Sequence, residues 1–359
     1  VVLKDGSKIQ YFGGKTQAVE KNTRVKARVK AHALKEFMNT KEKVVVMGHR
    51  LPDADSFGAA IGIYRAAKTL NKKAYIVIDN PTSSIIPLMN TFSDNQDYEA
   101  DMFVNNHEAK EIMDDNTLLV VVDTNKPSIT QCEDLLYMAK MIVVLDHHRQ
   151  GSDTIRNSVL SYIEPYASSA SEMVAEILQY FTEGIRIRNV EADSIYAGIM
   201  IDTDNFMQKT GVRTFEAAAF LRRCGADVTR VRKLFREDMN DYKARGETIR
   251  NAELFRGQFA ISECPSDYVD SPTVVGAQAA NELLNIVGVK ASFVLTEYKG
   301  VIYISARAID EVNVQIIMER MGGGGHLNMA GCQLETVNME EARNLLKSTL
   351  TEMQDGGEI

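Results

Sequence analysis

Short runs rich in Val, Ile and Leu recur between residues 41 and 150 and alternate with stretches whose apolar positions repeat at helical spacing. Such runs are typical of strands that are buried on both faces, as in a parallel sheet. The predicted strands are Val44–Met47, Ala74–Ile78, Leu118–Val122 and Ile142–Leu145, and the predicted helices are Ser56–Lys68, Ser128–Lys140, Ser171–Phe181 and Val190–Met200. Strands that alternate with helices predict a doubly wound α/β domain with a mainly parallel sheet, which we place at residues 41–227.

The sequence before this domain has a different pattern. It predicts a short strand at residues 7–12, a turn at Gly13-Gly14 and a Lys- and Arg-rich helix at residues 23–37. Residues 1–40 are too few to bury a core of their own. We therefore expect them to be the remnant of an upstream domain, followed by a connecting helix.

The sequence after the α/β domain begins with a charged helical stretch, which predicts a linker helix at residues 228–256. Residues 257–359 then contain a strand pattern, a helix, two strands joined by a turn at Gly300, a glycine run and a final helix. This order predicts a smaller α+β domain. The length of the chain also suits two domains.

The composition narrows the classes of partner. Hydrophobic residues make up 45% and charged residues 25% of the 359 positions, which is ordinary for a globular protein. Lys and Arg number 41 against 49 Asp and Glu, so the formal net charge is −8. This balance argues against long nucleic acid as a partner, because phosphate backbones bind positive surfaces. The four cysteines form no CxxC pair, which gives no support for a zinc site or a disulfide framework. No apolar run reaches the roughly 18 residues of a membrane span, so we expect a soluble fragment.

The chain has only six histidines, and the first that lies among aspartates is in the motif Gly48–Ser56. This motif follows a predicted strand and contains His49, Asp53 and Asp55. Ligands bind at the carboxyl ends of parallel strands, so one imidazole and two carboxylates in a single loop there favour metal binding. The alternative is a local role, with Asp55 or Ser56 as a helix N-cap and Asp53 in a turn.

Three further element ends carry acidic or imidazole side chains. Asp123 follows the third predicted strand, the run Asp146-His147-His148-Arg149 follows the fourth, and Asp202 ends an apolar helical run. We expect one imidazole to bind metal and Asp146 to orient an imidazole by accepting its N–H. His148 and Arg149 are expected to meet a phosphate or a leaving oxygen.

Together the motifs supply two imidazoles and four carboxylates: His49, Asp53, Asp55, Asp123, His147 and Asp202. These ligands are too many for one ion and suit two ions about 3.5–4 Å apart that share a carboxylate. Imidazole and carboxylate ligands without thiolate favour Mn²⁺, with Mg²⁺ or Co²⁺ as substitutes. Two such ions are suited to hydrolysing a phosphoester or an anhydride.

The four motifs, in this order, resemble those of the DHH superfamily of phosphoesterases, which is named for the triplet Asp146-His147-His148. Residues 257–359 resemble the associated DHHA1 domain through Ser305-Ala306-Arg307, Asn313 and the glycine run before His326. Within the superfamily, the chain looks most like the catalytic region of GdpP-type (YybT-type) cyclic di-AMP phosphodiesterases. In this comparison, residues 12–28 look like the tail of a degenerate GGDEF domain.

The resemblance implies an enzyme that hydrolyses cyclic di-AMP to linear pApA with a two-metal-activated water. It implies one metal set of His49, Asp53 and Asp123 and another of Asp55, Asp123, His147 and Asp202, with Asp146, His147 and His148 as catalytic residues. It also implies a longer, membrane-tethered parent protein whose catalytic part lies at the cytoplasmic face of the cell membrane. The alternatives are an oligoribonuclease or pApA phosphodiesterase of the same superfamily, an inorganic pyrophosphatase and a non-catalytic cyclic-dinucleotide sensor. The two-domain plan is also compatible with a homodimer.

The expected substrate-binding residues are Arg149, Arg307, Asn313, Gly322, Gly323, Gly324, Gly325 and His326. Four consecutive glycines would let backbone N–H groups approach a phosphate or a base closely, unless the run is only a flexible linker. Arg307 would bind a phosphate through two N–H groups, and His326 would donate to a phosphate or stack on a base. Asn313 could either form hydrogen bonds with the edge of an adenine base or cap the next helix, and the sequence favours neither role.

Overall fold

The computed structural model describes residues 2–5, 8–11, 18–93, 95–236, 238–267, 269, 271–309 and 312–359. It divides into two compact units, Val1–Phe235 and Arg236–Ile359. At the start of the chain, β1 (Val2–Asp5) pairs antiparallel with β2 (Lys8–Tyr11), and α1 (Ala18–Asn39) follows. The turn expected at Gly13-Gly14 lies outside the described residues.

The first unit is built on a six-stranded sheet in which every neighbouring pair of strands is parallel. In chain order its strands are β3 (Lys43–Met47), β4 (Lys73–Val77), β5 (Phe103–Val104), β6 (Thr117–Val122), β7 (Ile142–Asp146) and β8 (Leu160–Ile163), and their spatial order is β5-β4-β3-β6-β7-β8. The helices of the unit are α2 (Ala54–Thr69), α3 (Ile86–Ser93), α4 (Asn106–Ile112), α5 (Asp134–Met138), α6 (Ala170–Phe181), α7 (Asn189–Asp202), α8 (Val212–Arg223) and α9 (Val228–Leu234).

Both faces of this sheet are covered. Val44 and Val46 of β3 lie in one apolar core with side chains of α2, α6 and α7, whereas Val45 and Met47 lie in a second core with α4 and α5. Alternate residues of one strand therefore face opposite layers, which is why the strands read as continuous apolar runs. The doubly wound α/β prediction is confirmed.

Two local predictions in this part of the chain were wrong. In place of a helix at Ser128–Lys140, the structure has a 3-10 turn at Pro127–Ile129 and the short α5. The residues between them form an isolated β-bridge from Thr130 to His49 and therefore cannot be helical. In place of one linker helix at residues 228–256, α9 ends the first unit and α10 (Met239–Arg250) packs within the second.

The second unit is a mixed sheet covered by helices, which confirms the α+β prediction. Its spatial order is β13-β14-β12-β11-β10-β9, and only β10 and β11 pair in parallel among these strands. The elements after α10 are β9 (Glu253–Phe255), β10 (Phe259–Cys264), α11 (Pro272–Leu283), β11 (Ala291–Tyr298), β12 (Val301–Ala308), α12 (Val314–Arg320), β13 (Gly324–His326), β14 (Met329–Leu334) and α13 (Met339–Asp355). The β11–β12 hairpin turns at Lys299 and Gly300, which both have positive φ as a tight hairpin turn requires. Among the described residues, no helix has the length and apolarity needed to cross a bilayer.

Candidate metal centre

The predicted metal ligands meet at one edge of the first unit's sheet. His49 follows β3, Asp123 follows β6 and His147 follows β7, and these three strands are parallel neighbours. Because the carboxyl ends of parallel strands lie at the same edge, residues distant in sequence become neighbours there. Asp123 has φ 59°, a left-handed conformation that an aspartate adopts at some cost in strain, as residues at functional sites often do.

One cluster contains His49, Asp53 and Asp123. The Nε2 atom of His49 lies 3.5 Å from Oδ2 of Asp53 and 3.3 Å from Oδ2 of Asp123. The ligand atoms of this cluster all lie within 4.8 Å of one another, which is compact enough for a single cation.

The second cluster contains His147, Asp55 and Asp202, which come from three separate elements. The Nε2 atom of His147 lies 3.7 Å from Oδ2 of Asp55 and 3.8 Å from Oδ2 of Asp202. It also lies 3.3 Å from Oδ1 of Asp123, whose other oxygen faces His49. Asp123 therefore offers one carboxylate oxygen to each cluster, as a shared ligand would.

The loop that carries His49 is fixed at both of its ends. The backbone N–H of Arg50 donates to the carbonyl of Ile129 at 2.7 Å, and the N–H of Gln131 donates to the carbonyl of Gly48 at 2.8 Å. At the other end of the loop, Asp53 is the N-cap of α2, and its Oδ1 accepts hydrogen bonds from two backbone N–H groups. The capping role that the sequence suggested for this motif thus belongs to Asp53, whose second oxygen still faces His49.

Asp55 is only 2% exposed and is anchored by a different helix from its own. Its two carboxylate oxygens accept from the backbone N–H groups of Ala170 at 2.7 Å and Ser171 at 2.8 Å, in the first turn of α6. The positive end of the α6 dipole stabilises a carboxylate at this position. No sequence pattern linked Asp55 to residues more than a hundred positions away, so this anchor was missed.

The two imidazoles are held in their charged form in the absence of metal. Burial opposes the charge on His49, but attraction to Asp123 and Asp53 outweighs it and raises the pKa of His49 to about 10. Burial likewise opposes the charge on His147, but Asp123 and Asp55 raise its pKa to about 9. A proton on each ring therefore balances part of the acidic charge.

The carboxylates respond to the same crowding in opposite directions. Burial raises the pKa of Asp123, but the two neighbouring imidazoles outweigh it and lower that pKa to about 2. Burial, followed by repulsion from Asp123 and Asp202, holds the pKa of Asp55 well above its usual range. Burial also raises the pKa of Asp202. The site therefore carries more buried acid than its own imidazoles neutralise.

Orphaned oxygens show that the residues present fit divalent cations. Within the described part of the chain, Oδ1 of Asp123 and Oδ2 of Asp202 are buried and accept no hydrogen bond, although Nε2 of His147 lies 3.3 Å and 3.8 Å from them. A buried acceptor without a partner is costly, and buried charges are normally paired or coordinate a metal. Mixed imidazole and carboxylate donors are a usual ligand set for transition-metal ions.

His148, the third residue of the triplet, is oriented by hydrogen bonds to the buried carboxylate of Asp146. Asp146 is fully buried, and its Oδ1 lies 2.8 Å from Nδ1 of His148 and accepts from the backbone N–H of His148 at 3.1 Å. The imidazole that Asp146 orients is therefore that of His148, not the metal-facing His147. Arg149 is exposed beside them. Asn125, which donates to Asp146, had no role in the sequence analysis.

Two of the predicted substrate-binding residues of the second unit, Arg307 and His326, lie in one row of its sheet. Arg307 and His326 both pair with Met329, from opposite sides, so the three form one row across β12, β14 and β13. Burial lowers the pKa of Arg307, and its Nε has no hydrogen-bond partner in the described part of the chain. Asn313 caps α12 by accepting from the N–H of Gln315, so capping is the role that the structure provides for its oxygen.

The glycine run is not a flexible linker. Gly324 and Gly325 belong to β13, and a Cβ on Gly325 would lie 2.5 Å from Cα of Ala330. A Cβ on Gly323 would lie 2.1 Å from the carbonyl oxygen of Gly331. Two of the four glycines are thus required by the close approach of β14. Gly322 and Gly323 also line a cavity of about 510 Å³, together with Thr273, Tyr303, Ser305 and Gln333.

Comparison with known proteins matches both units to described families. Residues 43–199 match the DHH family, N-terminal domain, and residues 259–352 match the DHHA1 domain. Cyclic-di-AMP phosphodiesterase GdpP of Bacillus subtilis (strain 168) is 44% identical over 356 residues, which are 98% of this chain and 54% of that protein. Cyclic-di-AMP phosphodiesterase PdeA of Listeria monocytogenes serotype 1/2a (strain 10403S) is 39% identical over 353 residues, 98% of this chain and 53% of that protein.

The chain therefore spans about half the length of these relatives. A solved structure, an exopolyphosphatase-related protein from Bacteroides fragilis, superposes with a TM-score of 0.76 at 20% identity and covers 91% of this chain and 97% of its own. At that identity the likeness supports the fold alone.

Proposed function

We propose that this chain, whose residues 43–199 match the DHH family and whose residues 259–352 match the DHHA1 domain, hydrolyses cyclic di-AMP to linear pApA. The observation that carries the proposal is the pair of ligand clusters that share Asp123, one carboxylate oxygen facing each cluster. Such an arrangement suits two ions that act on a single phosphodiester. The two relatives named above are cyclic-di-AMP phosphodiesterases, which favours this substrate over other phosphodiesters.

The metal ligands divide between two ions in this proposal. His49, Asp53 and Asp123 would hold one ion, and Asp55, Asp123, His147 and Asp202 the other. When bound, two such ions would polarise the phosphate oxygens and increase the acidity of a water molecule. Hydrolysis adds the elements of that water across one P–O bond and frees one 3′ hydroxyl, so the product is a linear dinucleotide.

The remaining residues act on the substrate itself. His148, whose Nδ1 is engaged by Asp146, keeps Nε2 to accept the proton of the reacting water and to return it to the departing 3′ oxygen. In the second unit, Arg307 keeps its Nε for an acceptor, because no described residue satisfies that atom. We assign to Arg307, His326 and the glycine-lined cavity the binding of a nucleotide. Arg149 is exposed beside the triplet and is proposed to bind a phosphate of the substrate.

We propose Mn²⁺ as the ion in both positions. The support is chemical: two imidazole nitrogens among carboxylate oxygens suit Mn²⁺ better than Mg²⁺, which prefers an all-oxygen shell with several waters. Anomalous scattering from crystals of the loaded protein would count the ions and identify them. Two Mn²⁺ ions at the two clusters are expected, and a single ion outside both clusters would contradict the assignment.

The activity test uses the purified chain with Mn²⁺ and cyclic di-AMP, with pApA measured as the product. Asp123→Asn keeps the shape of the shared ligand but removes its charge. It should lower turnover at least about a hundredfold, because the loss of a partner that only orients a metal ligand already costs about 10- to 100-fold. Asp193→Asn is the matched control, since Asp193 lies in the same unit but pairs with Arg230. Absence of pApA from folded, metal-loaded wild-type protein would refute the proposal.

The alternative functions, an oligoribonuclease and a non-catalytic sensor, can be distinguished by the substrates that the protein cleaves. Equal amounts of cyclic di-AMP, pApA and short RNA should be compared at the same metal concentration. Faster cleavage of pApA or RNA than of cyclic di-AMP would favour the oligoribonuclease, and tight binding without any cleavage would favour the sensor. Two further expectations stay predictions. Sedimentation analysis would test the homodimer, and fractionation of cells that make a longer parent protein would test its location at the membrane.

A further inference from the structure

Asn125 is a buried residue close to the metal centre to which the proposed function gives no role. It lies two residues beyond Asp123 and three beyond the end of β6, and it is only 2% exposed. Its Nδ2 donates to Oδ2 of Asp146 at 2.5 Å and lies 3.4 Å from the carbonyl oxygen of His148. Its backbone carbonyl accepts from the N–H of Ile155 at 2.9 Å, which fixes the residue from the other side.

Asp146 links this amide to the imidazole of His148. One oxygen of Asp146 is occupied by Asn125, and the other accepts from the backbone N–H of His148 and faces its Nδ1. The carboxylate cannot rotate without losing a hydrogen bond on one side. In contrast, the side chain of His148 is 57% exposed, so packing alone does little to fix its ring. The orientation of His148 therefore depends on Asp146, and that of Asp146 depends on Asn125.

We propose that Asn125 is a positioning residue that sets the ring orientation and the tautomer of His148 through Asp146. A neutral imidazole whose Nδ1 donates to a carboxylate presents an unprotonated Nε2 to its other partners. Without the amide of Asn125, Asp146 loses the donor that holds its second oxygen, and the pair becomes free to rotate. The proposal deepens the proposed function and rests on it, because an unprotonated Nε2 is what the proton transfer assigned there to His148 requires.

A purely structural role for Asn125 makes different predictions. Asn125 would then only satisfy a buried carboxylate, as most buried polar groups are satisfied. Its removal would lower stability and would leave the ring of His148 unchanged. The two roles can therefore be separated by observing His148 directly.

The first measurement is the tautomer of His148, read from the two-bond ¹H–¹⁵N correlations of its ring in protein loaded with diamagnetic Mg²⁺. Wild-type protein should show the Nδ1–H form, and Asn125→Ala should show a mixture of both neutral forms. An unchanged Nδ1–H form in Asn125→Ala, or the Nε2–H form in wild type, would overturn the proposal. This readout does not depend on activity, so it stands even if cyclic di-AMP proves not to be the substrate.

The second measurement is a double-mutant cycle on hydrolysis of cyclic di-AMP. Asn125→Ala should lower kcat by about 10- to 100-fold, the usual range for partners that orient functional histidines, with little change in bound metal. In a His148→Ala background, the same substitution should cost less than about twofold further, because the residue through which it acts is gone. Losses that multiply in full would show that Asn125 acts independently of His148, which contradicts the proposal.

Two further variants protect the experiment against a folding defect. Thr117→Val removes a buried hydroxyl from the first residue of β6, at the end away from the metal centre, and should leave kcat and the His148 tautomer unchanged. Asn125→Ser keeps a polar side chain at this buried position, but its hydroxyl is one bond shorter than the amide and should not reach Oδ2 of Asp146. If Asn125→Ala does not fold, Asn125→Ser should still show the mixed tautomer, and an unchanged tautomer in that variant would overturn the proposal.

Discussion

Replacing Asp202 by asparagine should stabilise the metal-free protein while weakening its response to metal. Asp202 is the last residue of α7, and its Oδ2 is buried without a hydrogen-bond partner among the described residues. Burial raises its pKa, which means that the fold favours the uncharged form of this side chain. Asparagine is close in size and shape to that uncharged form, so the change removes a charge without creating a cavity.

The magnitude follows from two effects. A buried acceptor without a partner costs about 1–3 kcal/mol, and more when it is charged; asparagine removes the part that comes from the charge. A negative charge at a helix C-terminus is unfavourable by about 0.3–1 kcal/mol, because it faces the negative end of the helix dipole. The loss of attraction to His147, 3.8 Å away, opposes both effects. We therefore expect a net gain of about 1–2 kcal/mol in the free energy of unfolding of the metal-free protein.

The sign of the pH dependence follows from linkage. A carboxyl whose pKa is raised in the folded state destabilises the protein once the pH exceeds the pKa of the unfolded chain, and it does so less as the pH falls. The advantage of Asp202→Asn over wild type should therefore be present at neutral pH and disappear in acid.

The assay is urea unfolding with chelator and then with saturating Mn²⁺. The variant should have the higher midpoint with chelator, and its gain on adding metal should be smaller than that of wild type, because a ligand is missing. Asp193→Asn is the matched control on the same helix. Asp193 is bonded to Arg230 and to the N–H of Asp227, so its replacement should destabilise both states and leave the metal gain unchanged. A lower midpoint for Asp202→Asn with chelator would refute the reasoning.

Two further predictions concern the imidazoles and the glycine run. His49 and His147, with pKa values of about 10 and about 9, hold protons at neutral pH that a bound metal should displace. Metal binding should therefore release protons and become tighter as the pH rises. Calorimetry in buffers of different ionisation enthalpy measures this release, and a heat of binding that is independent of the buffer would contradict it. Gly325→Ala should destabilise the protein by about 1–3 kcal/mol in urea unfolding, because the new Cβ would lie 2.5 Å from Cα of Ala330. Gly324→Ala should cost less than about 1 kcal/mol, because its Cβ would meet no described atom within 4 Å. Equal losses for the two variants would contradict the packing argument.

The fold of the first unit and its clusters of metal-ligand candidates followed from sequence for a common reason. Apolar runs placed the strands β3, β6 and β7, and a parallel sheet brings their carboxyl ends to one edge. The polar residues that directly follow those runs, His49, Asp123 and His147, therefore had to lie close together. The rule needs no side-chain detail, only strand direction.

The elements that sequence analysis missed depend on contacts between distant segments. Residues 128–140 contain an apolar pattern compatible with a helix, but Thr130 instead pairs with His49 and fixes the ligand loop. Asn125 donates to Asp146, 21 positions further along the chain. Neither contact has a local sequence signature, because each depends on where the partner segment lies after folding.

The glycine run shows a further limit of sequence. A glycine supplies freedom for the backbone or absence of a Cβ, and the sequence does not reveal which of the two is needed. Gly322 has φ 84°, a conformation that favours glycine, and a Cβ there would meet no described atom within 4 Å. Gly323 has no room for a Cβ, because it packs against the backbone of β14. One run therefore combines a turn requirement with a packing requirement, and both keep the cavity wall free of side chains.

The anchoring of Asp55 joins the packing of the first unit to its metal centre. The first turn of α6 donates to the carboxylate of Asp55, and the hydroxyl of Ser171 donates to the Asp55 carbonyl at 3.0 Å. Ser171 fits there only because its neighbours on α2 and α7 are glycines: a Cβ on Gly58 would lie 2.7 Å from its Oγ, and a Cβ on Gly198 would lie 2.2 Å from the same atom. The close approach of three helices thus decides where this ligand lies. The candidate metal centre is therefore held in place by the helical core behind it as well as by the loops at the sheet edge.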